Sequence, residues 1–162
     1  MPSLIPLSQG QSAIVDDVDY EWLSQWKWSA QKGSHSFYAM RHDQGKLVLM
    51  HRVINETPEG SVTDHKDGNG LNNQRSNLRT ATQLQNMMNR APKKGGTSVH
   101  KGVWFDGSVG TRNKNQWRSA IRLNGKLKYL GRFATEDEAG AAYQEASRHH
   151  FGEFHRSTGD EA

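Results

Sequence analysis

The 162 residues include 33% hydrophobic side chains and no cysteine, which is thin material for one large core and suits two small modules. The missing thiols exclude disulfide staples and thiolate-held structural zinc, so any bound metal must be held by oxygen or imidazole. No apolar run nears the ~20 residues that cross a bilayer, and Met1–Gly10 lacks the basic start and apolar middle of a signal peptide; the expectation is a soluble, cytoplasmic chain with no membrane partner.

The net charge of +4 is unevenly distributed. Residues 1–90 balance nine basic against nine acidic side chains, residues 91–134 carry ten basic against one acidic, and residues 135–162 carry two basic against seven acidic. The central block of +9 is the footprint of a surface that meets phosphates, although a basic segment can equally be a solvated face.

Short apolar runs at Leu4–Leu7, Ala13–Val15, Phe37–Met40 and Leu47–Met50 lie between Gly, Ser and Asp clusters and predict short strands. Asp16 or Asp17 is suited to cap a short helix carrying Tyr20, Trp22 and Leu23. Trp22, Trp26 and Trp28 are expected to build a small core, because large aromatics supply much of the burial in a domain of this size.

The segment Val62–Asn89, VTDHKDGNGLNNQRSNLRTATQLQNMMN, concentrates the chemistry. An Asp-His pair closes an apolar run, Asp67–Gly70 forms a turn, Asn77 opens a second short run, and a helix follows with Thr82 at its cap and Gln85 at the capping-box position, stopping before Pro92. The layout is strand, loop, strand, helix. Phosphodiester hydrolysis needs a base to deprotonate water and a hard cation to neutralise charge on the phosphate and leaving oxygen. Asp64 and His65 supply both chemistries side by side. Neighbours on a strand diverge, so one can face the water while the other holds a metal.

Ala91–Ser98, APKKGGTS, reads as a linker. Beyond it, Gln116–Asn124 alternates strictly, with Trp117, Ser119, Ile121 and Leu123 on one side and Arg118, Ala120, Arg122 and Asn124 on the other. Asn124-Gly125 is a hairpin signal leading into a second strand at Lys126–Phe133, and Lys101–Asp106 suits a third. Thr135 and Glu138 have capping-box spacing, and Ala139, Ala142, Tyr143 and Ala146 recur at helical intervals that allow close packing on a sheet.

The series DHKDGNGLNNQRSNLR followed by TQLQN resembles the HNH endonuclease motif, particularly that of phage and intron-encoded homing endonucleases with Asn at the third signature position. The resemblance implies a ββα-metal module in which His65 is the general base, Asp64 a ligand of one divalent cation, Asn77 the brace of the loop and Asn86 the second protein ligand. MHRVI at Met50–Ile54 is similar to the run that leads into this motif, which by itself gives His51 no catalytic role. Two protein ligands leave room for water and phosphate oxygens, as Mg²⁺ prefers, and Mn²⁺ substitutes on the same donors. His35, His42, His100, His149, His150 and His155 lack a partner at ligand spacing and default to solvated or core positions.

KGVW, QWRSAIRLNGK, YLGRF and EDEAGAAYQEASRHHFGEF resemble the Apetala-type domain of plant ethylene-response factors, a three-stranded sheet on one helix that also occurs appended to HNH homing endonucleases. The resemblance implies that the sheet enters the major groove, with Arg122 and Tyr129 at DNA-contacting positions. Arg118 shares the face of Arg122 by alternation, and Lys126 and Lys128 add charge on the next strand. Alternation puts Lys126, Lys128 and Leu130 opposite Leu127 and Tyr129; a bulge at Gly131 would bring Leu130 and Phe133 to the core and leave Tyr129 as the contact. Trp104 and Asp106 stand where the plant domains carry base-reading arginines, so plant-type sequence preference does not transfer.

The combined expectation is an α+β chain. An HNH module at 1–90, with its motif core at 62–90 and short strands before it, is joined by the 91–98 linker to an Apetala-type domain at 99–156 and a tail at 157–162. It cleaves double-stranded DNA with Mg²⁺ as a monomer and needs no protein partner. A DNA-binding regulator with a vestigial nuclease module is the rival that intact Asp64, His65, Asn77 and Asn86 oppose. An RNA-binding protein is opposed by Trp117 sharing its face with Ile121 and Leu123, which favours burial over base stacking.

Overall fold

The computed structural model describes residues 1–33, 35–90, 95–108 and 115–156, and the chain divides into two compact units, Met1–Asn89 and Arg90–Glu161. Within the predicted linker, residues 91–94 lie outside the described ones and Gly95–Ser98 form neither helix nor strand. The predicted tail, 157–162, also lies outside them.

In the first unit β1 (Pro2–Pro6) and β2 (Ser12–Asp16) pair antiparallel, with Leu4 opposite Ile14, and α1 (Asp17–Leu23) follows directly. β3 (Ser29–Lys32), β4 (Phe37–Asp43) and β5 (Lys46–Leu49) form a three-stranded antiparallel sheet in that order. The chain then turns into α2 (Met50–Ile54), crosses to β6 (Val62–His65), returns through β7 (Leu78–Ala81) and ends in α3 (Gln83–Met88). Ile5, Val15, Leu23, Trp28, Met50, Ile54 and Leu78 meet in one core, drawn from β1, β2, α1, the turn before β3, α2 and β7.

Three local expectations are corrected. Met50, read as the end of a strand, opens α2 and is fully buried there. Trp28 is core and its Nε1 donates to Leu23 O at 2.8 Å, whereas Trp26 is 39% exposed and carries the Arg41 guanidinium 4.6 Å above its ring. Its payload is therefore a cation–π contact at the surface rather than core burial. Asp16 is the N-cap of α1 but its side chain caps nothing; it accepts from Gln74 and Arg75 in the loop before β7 instead.

In the second unit β8 (Val103–Phe105), β9 (Trp117–Leu123) and β10 (Lys126–Phe133) form an antiparallel sheet ordered β10-β9-β8, against which α4 (Glu136–Phe151) packs. Asn124 at φ 48° and Gly125 at φ 79° make the tight turn between β9 and β10, both residues taking the positive φ that a type I′ hairpin requires. The register shifts between Tyr129 and Gly131, leaving Leu130 as the bulge. Thr135 and Glu138 form a reciprocal capping box, and Ala139, Gly140, Tyr143, Ser147 and Phe151 make the buried stripe of α4. Ala142 and Ala146, expected in that stripe, are only half-buried. Gly140 is required by proximity, since a Cβ there would sit 2.7 Å from the His100 ring. The content is mixed, with small antiparallel sheets and few helices, compatible with α+β. No helix among the described residues is long and apolar enough to cross a membrane.

Candidate active site

The antiparallel register of β6 and β7 sets Asp64 opposite Arg79 and His65 opposite Leu78. Arg79 reaches across the ladder with Nη2 at 2.6 Å and Nε at 2.8 Å from Asp64 Oδ2. From the other side, just past α3, Asn89 Nδ2 donates to both Asp64 oxygens at 3.0 and 3.2 Å and to His65 O at 2.7 Å. Asp64 is 2% exposed, and burying a carboxylate that deep is costly unless it is paired and hydrogen-bonded in this way.

Between the strands the chain folds as a series of Asx turns, in which short polar side chains take over backbone hydrogen bonds. Asn77 Nδ2 donates to Asp67 Oδ1 at 2.9 Å and Asn72 O at 2.8 Å, while its Oδ1 accepts from Asp67 N at 3.1 Å. Asn72 Nδ2 donates to Asp67 Oδ2 at 2.8 Å. Gly70 lies against Phe37 O, where a Cβ would approach to 2.4 Å. The whole loop is docked on the N-terminal elements. Ile14 N donates to Leu71 O at 2.8 Å and Asn73 N to Ile14 O at 2.7 Å. Asp16 accepts from Gln74 Nε2 and Arg75 N at 3.1 and 2.8 Å, and Asp19 holds the Arg75 guanidinium through two bonds of 2.8 and 2.7 Å.

His65 is 6% exposed and His51, from α2, is 7% exposed. Their rings meet edge to face with centroids 5.1 Å apart, and Tyr38 from β4 packs on both at 5.6 and 6.0 Å. His65 Nε2 lies 3.3 Å from Asn73 Oδ1. Burial lowers the basicity of His65 below that of an ordinary imidazole, with the hydrogen bond to Asn73 Oδ1 and the carboxylates of Asp67 and Asp64 partly opposing it. Burial, then the neighbouring His65 and Arg52, pushes His51 down to about 3. Both rings are neutral at pH 7, and a neutral imidazole is the form that accepts a proton.

Of the residues singled out in the sequence, Asp64, His65 and Asn77 converge on this loop. Asn86 lies on α3, half-buried, three residues before Asn89, and its side chain makes no hydrogen bond to the described residues. The residue brought onto Asp64 from this end of the module is Asn89, just past α3, which sequence reasoning passed over together with Asn73, Arg79 and Tyr38. The second Asn of the LNN triplet and the Asn three residues after Asn86 were the only signals for Asn73 and Asn89.

In the second unit, Trp104 pairs with Arg118, Arg118 with Arg132, Ala120 with Tyr129 and Arg122 with Leu127, so these side chains share the face away from α4. Arg118 Nη1 donates to Tyr129 Oη at 2.6 Å, and both Arg118 and Arg132 are ion-paired to Asp106. Tyr129 is 49% exposed there. Lys126 and Lys128 pair with Leu123 and Ile121 and fall on the opposite face, solvent-exposed at the sheet edge.

The strand, loop, strand, helix unit with its Asp-His pair defines a class, that of the small HNH-type nucleases. A family model described as HNH endonuclease matches residues 48–88, from the end of β5 through α3. The chain is 30% identical over 158 residues to a protein of Acanthamoeba polyphaga mimivirus described as an uncharacterized HNH endonuclease, a match covering 94% of this chain and 77% of that one. It is also 35% identical over 69 residues to protein 3.8 of Escherichia phage T7, covering 43% of this chain and 53% of the phage protein. No solved structure matches significantly. The chain belongs to the HNH endonuclease family and is a nuclease, with DNA as the substrate that such a domain implies.

HNH nucleases generally depend on a divalent metal, and the donors present suit a hard one. No group of three His, Cys, Asp or Glu side chains clusters among the described residues, so a complete cage of such ligands is not built. Instead the buried Asp64 carboxylate accepts from Arg79 and from the amide nitrogen of Asn89, just past α3, and the amide of Asn86 lies one turn earlier on the helix. One carboxylate plus amide oxygen is the sparse oxygen set that leaves Mg²⁺ its waters.

Proposed function

We propose that this nuclease is a metal-dependent endonuclease of the homing type that hydrolyses phosphodiester bonds of double-stranded DNA, acting as a monomer in the cytoplasm of a phage- or intron-bearing bacterial cell. What supports this most is a neutral, buried imidazole one residue from a buried carboxylate at the end of a strand. His65 takes the proton of the attacking water. Asp64 and Asn86 hold Mg²⁺, for which Mn²⁺ substitutes, and Asn89 ties β6 to the end of α3 so that both donors keep their spacing. When bound, the cation neutralises charge on the phosphate and the leaving oxygen. Asn77 holds the loop closed behind Asp67.

The second unit, read as an Apetala-type domain, supplies affinity and register. Arg118, Arg122 and Tyr129 share one face and are the groove contacts. Lys126 and Lys128 reach backbone phosphates from the edge strand, as long flexible cations do.

The test is conversion of supercoiled plasmid by the purified chain with Mg²⁺, with Mn²⁺ and with EDTA. Nicked or linear product should form with either ion and vanish with EDTA. Full-rate cleavage in EDTA would remove Asp64 and Asn86 from their assigned role.

A further inference from the structure

We infer that Asn73 sets the tautomer of His65, fixing the ring proton on Nε2 and leaving Nδ1 as the nitrogen that takes up the proton of water. The inference rests on His65 being the base. Asn73 is fully buried, and its side chain has two ends with opposite hydrogen-bonding character. Its Nδ2 donates to Leu71 O at 3.2 Å. A carbonyl oxygen can only accept, so turning the amide over would set two oxygens against each other at that contact. The amide nitrogen is thereby pinned to Leu71, and Oδ1 is the end that meets His65 Nε2 at 3.3 Å. Oδ1 also can only accept. A neutral imidazole has one N–H, and this contact requires it on Nε2.

The side chain cannot swing away to relax the constraint, because the backbone around it is clamped to β2. Asn73 N donates to Ile14 O at 2.7 Å and Ile14 N to Leu71 O at 2.8 Å, a parallel bridge that brackets the residue. On the ring's flanks, His51 and Tyr38 oppose rotation of the imidazole out of this plane. Asn73 is thus a positioning residue: it touches no substrate and acts through the ring of His65. A neutral amide does this without adding a charge beside the base, as a carboxylate partner would.

The tautomer is read by long-range ¹H–¹⁵N correlation spectra of the full-length chain, with the His65 signals identified by their loss in His65→Gln. The wild type should show the Nε2–H tautomer. Asn73→Asp, which keeps an accepting oxygen, should retain it. Asn73→Leu should give a mixture of tautomers and lower kcat by roughly 10- to 100-fold with KM for DNA little changed, the usual cost of losing an orienting partner. An Nδ1–H signal in the wild type would overturn the inference, and needs no variant to fold. So would Asn73→Leu with an unmixed tautomer and full kcat. If His65→Ala is dead while the wild type carries Nδ1–H, only the tautomer assignment fails. If His65→Ala cuts normally, the base reading itself fails, whatever the tautomer.

Discussion

The two units spend their polar residues in opposite ways. In the first, Asp19, His51, Thr63, Asp64, His65, Asn73, Asn77 and Asn89 are all buried, so charge and hydrogen-bonding groups are held inside the structure. In the second, the buried polar residues among those described are Ser119 and Ser147, while Arg118 and Arg132 lie on an open sheet face and are held by one carboxylate, Asp106. Buried polar groups give fixed geometry at the expense of desolvation, which suits bond breaking. Charges at a water-facing surface are weakly held and rearrange, which suits a polyanion of varied sequence. The difference separates precision from reach within one short chain.

The strongest way to break this comparison is at His65. His65→Ala should bind DNA as before but lose cleavage by roughly 10² to 10⁴-fold, the worth of a positioned base; near-normal nicking would detach the buried cluster from chemistry. Next is Arg79→Ala, which leaves the 2%-exposed Asp64 without its guanidinium. Removing one partner of a buried pair costs about 3 to 5 kcal/mol, and urea unfolding should register a loss of that order. A loss below 1 kcal/mol would mean the pair is hydrated in solution.

The third prediction uses pH. His51, lowered from 6.5 to about 3, stays neutral in the folded chain while the unfolded chain takes up a proton below pH 6.5. Stability should therefore be independent of this group above pH 6.5 and fall as pH drops toward 3, by roughly 1.4 kcal/mol per unit. His65, shifted in the same direction, adds to the loss. His51→Gln should flatten the acid limb of melting temperature against pH; an unchanged limb would place the sensitivity elsewhere.

The second unit should respond to salt instead. Arg118→Ala combined with Arg122→Ala removes two of the cations proposed to meet DNA and should flatten the slope of log affinity against log salt by up to about 2. An unchanged slope would leave this sheet a fold without a DNA role. The smallest effect is expected from Asp106→Asn, which releases Arg118 and Arg132. DNA binding should tighten roughly two- to five-fold, the scale of a surface ion pair, and weaker binding would mean that the carboxylate orients the arginines for contact.

What the sequence made legible follows the range of the interactions. The capping boxes at Thr82 and Thr135, the Asn124-Gly125 turn and the alternation in β9 depend on residues within a few positions of each other, and each appears as read. The register of β10, left open by alternation, is resolved by its bulge. β3 escaped because Ser29–Lys32 has no apolar pattern; Ala30 is its one buried residue. Its neighbour β4 makes it a strand. At the site, Asp64, His65 and Asn77 were visible through the motif, whereas Arg79 depends on strand register, Asn89 on where α3 ends, and His51 on a turn of helix read as strand end.

The clamp between the catalytic loop and the start of the chain also bears on how the enzyme comes into being. Gln74 and Arg75 reach Asp16 across 58 and 59 positions, and Arg75 reaches Asp19 across 56. Contacts of that span form late, because the closure entropy of the intervening chain is met before they can reward it. A nascent chain on the ribosome would thus assemble β1, β2 and α1 first and shape the loop around His65 only after β7 had emerged. The nuclease would stay inert until then, and excising the 48–88 segment matched by the family model would carry off the signature without the elements that give it form.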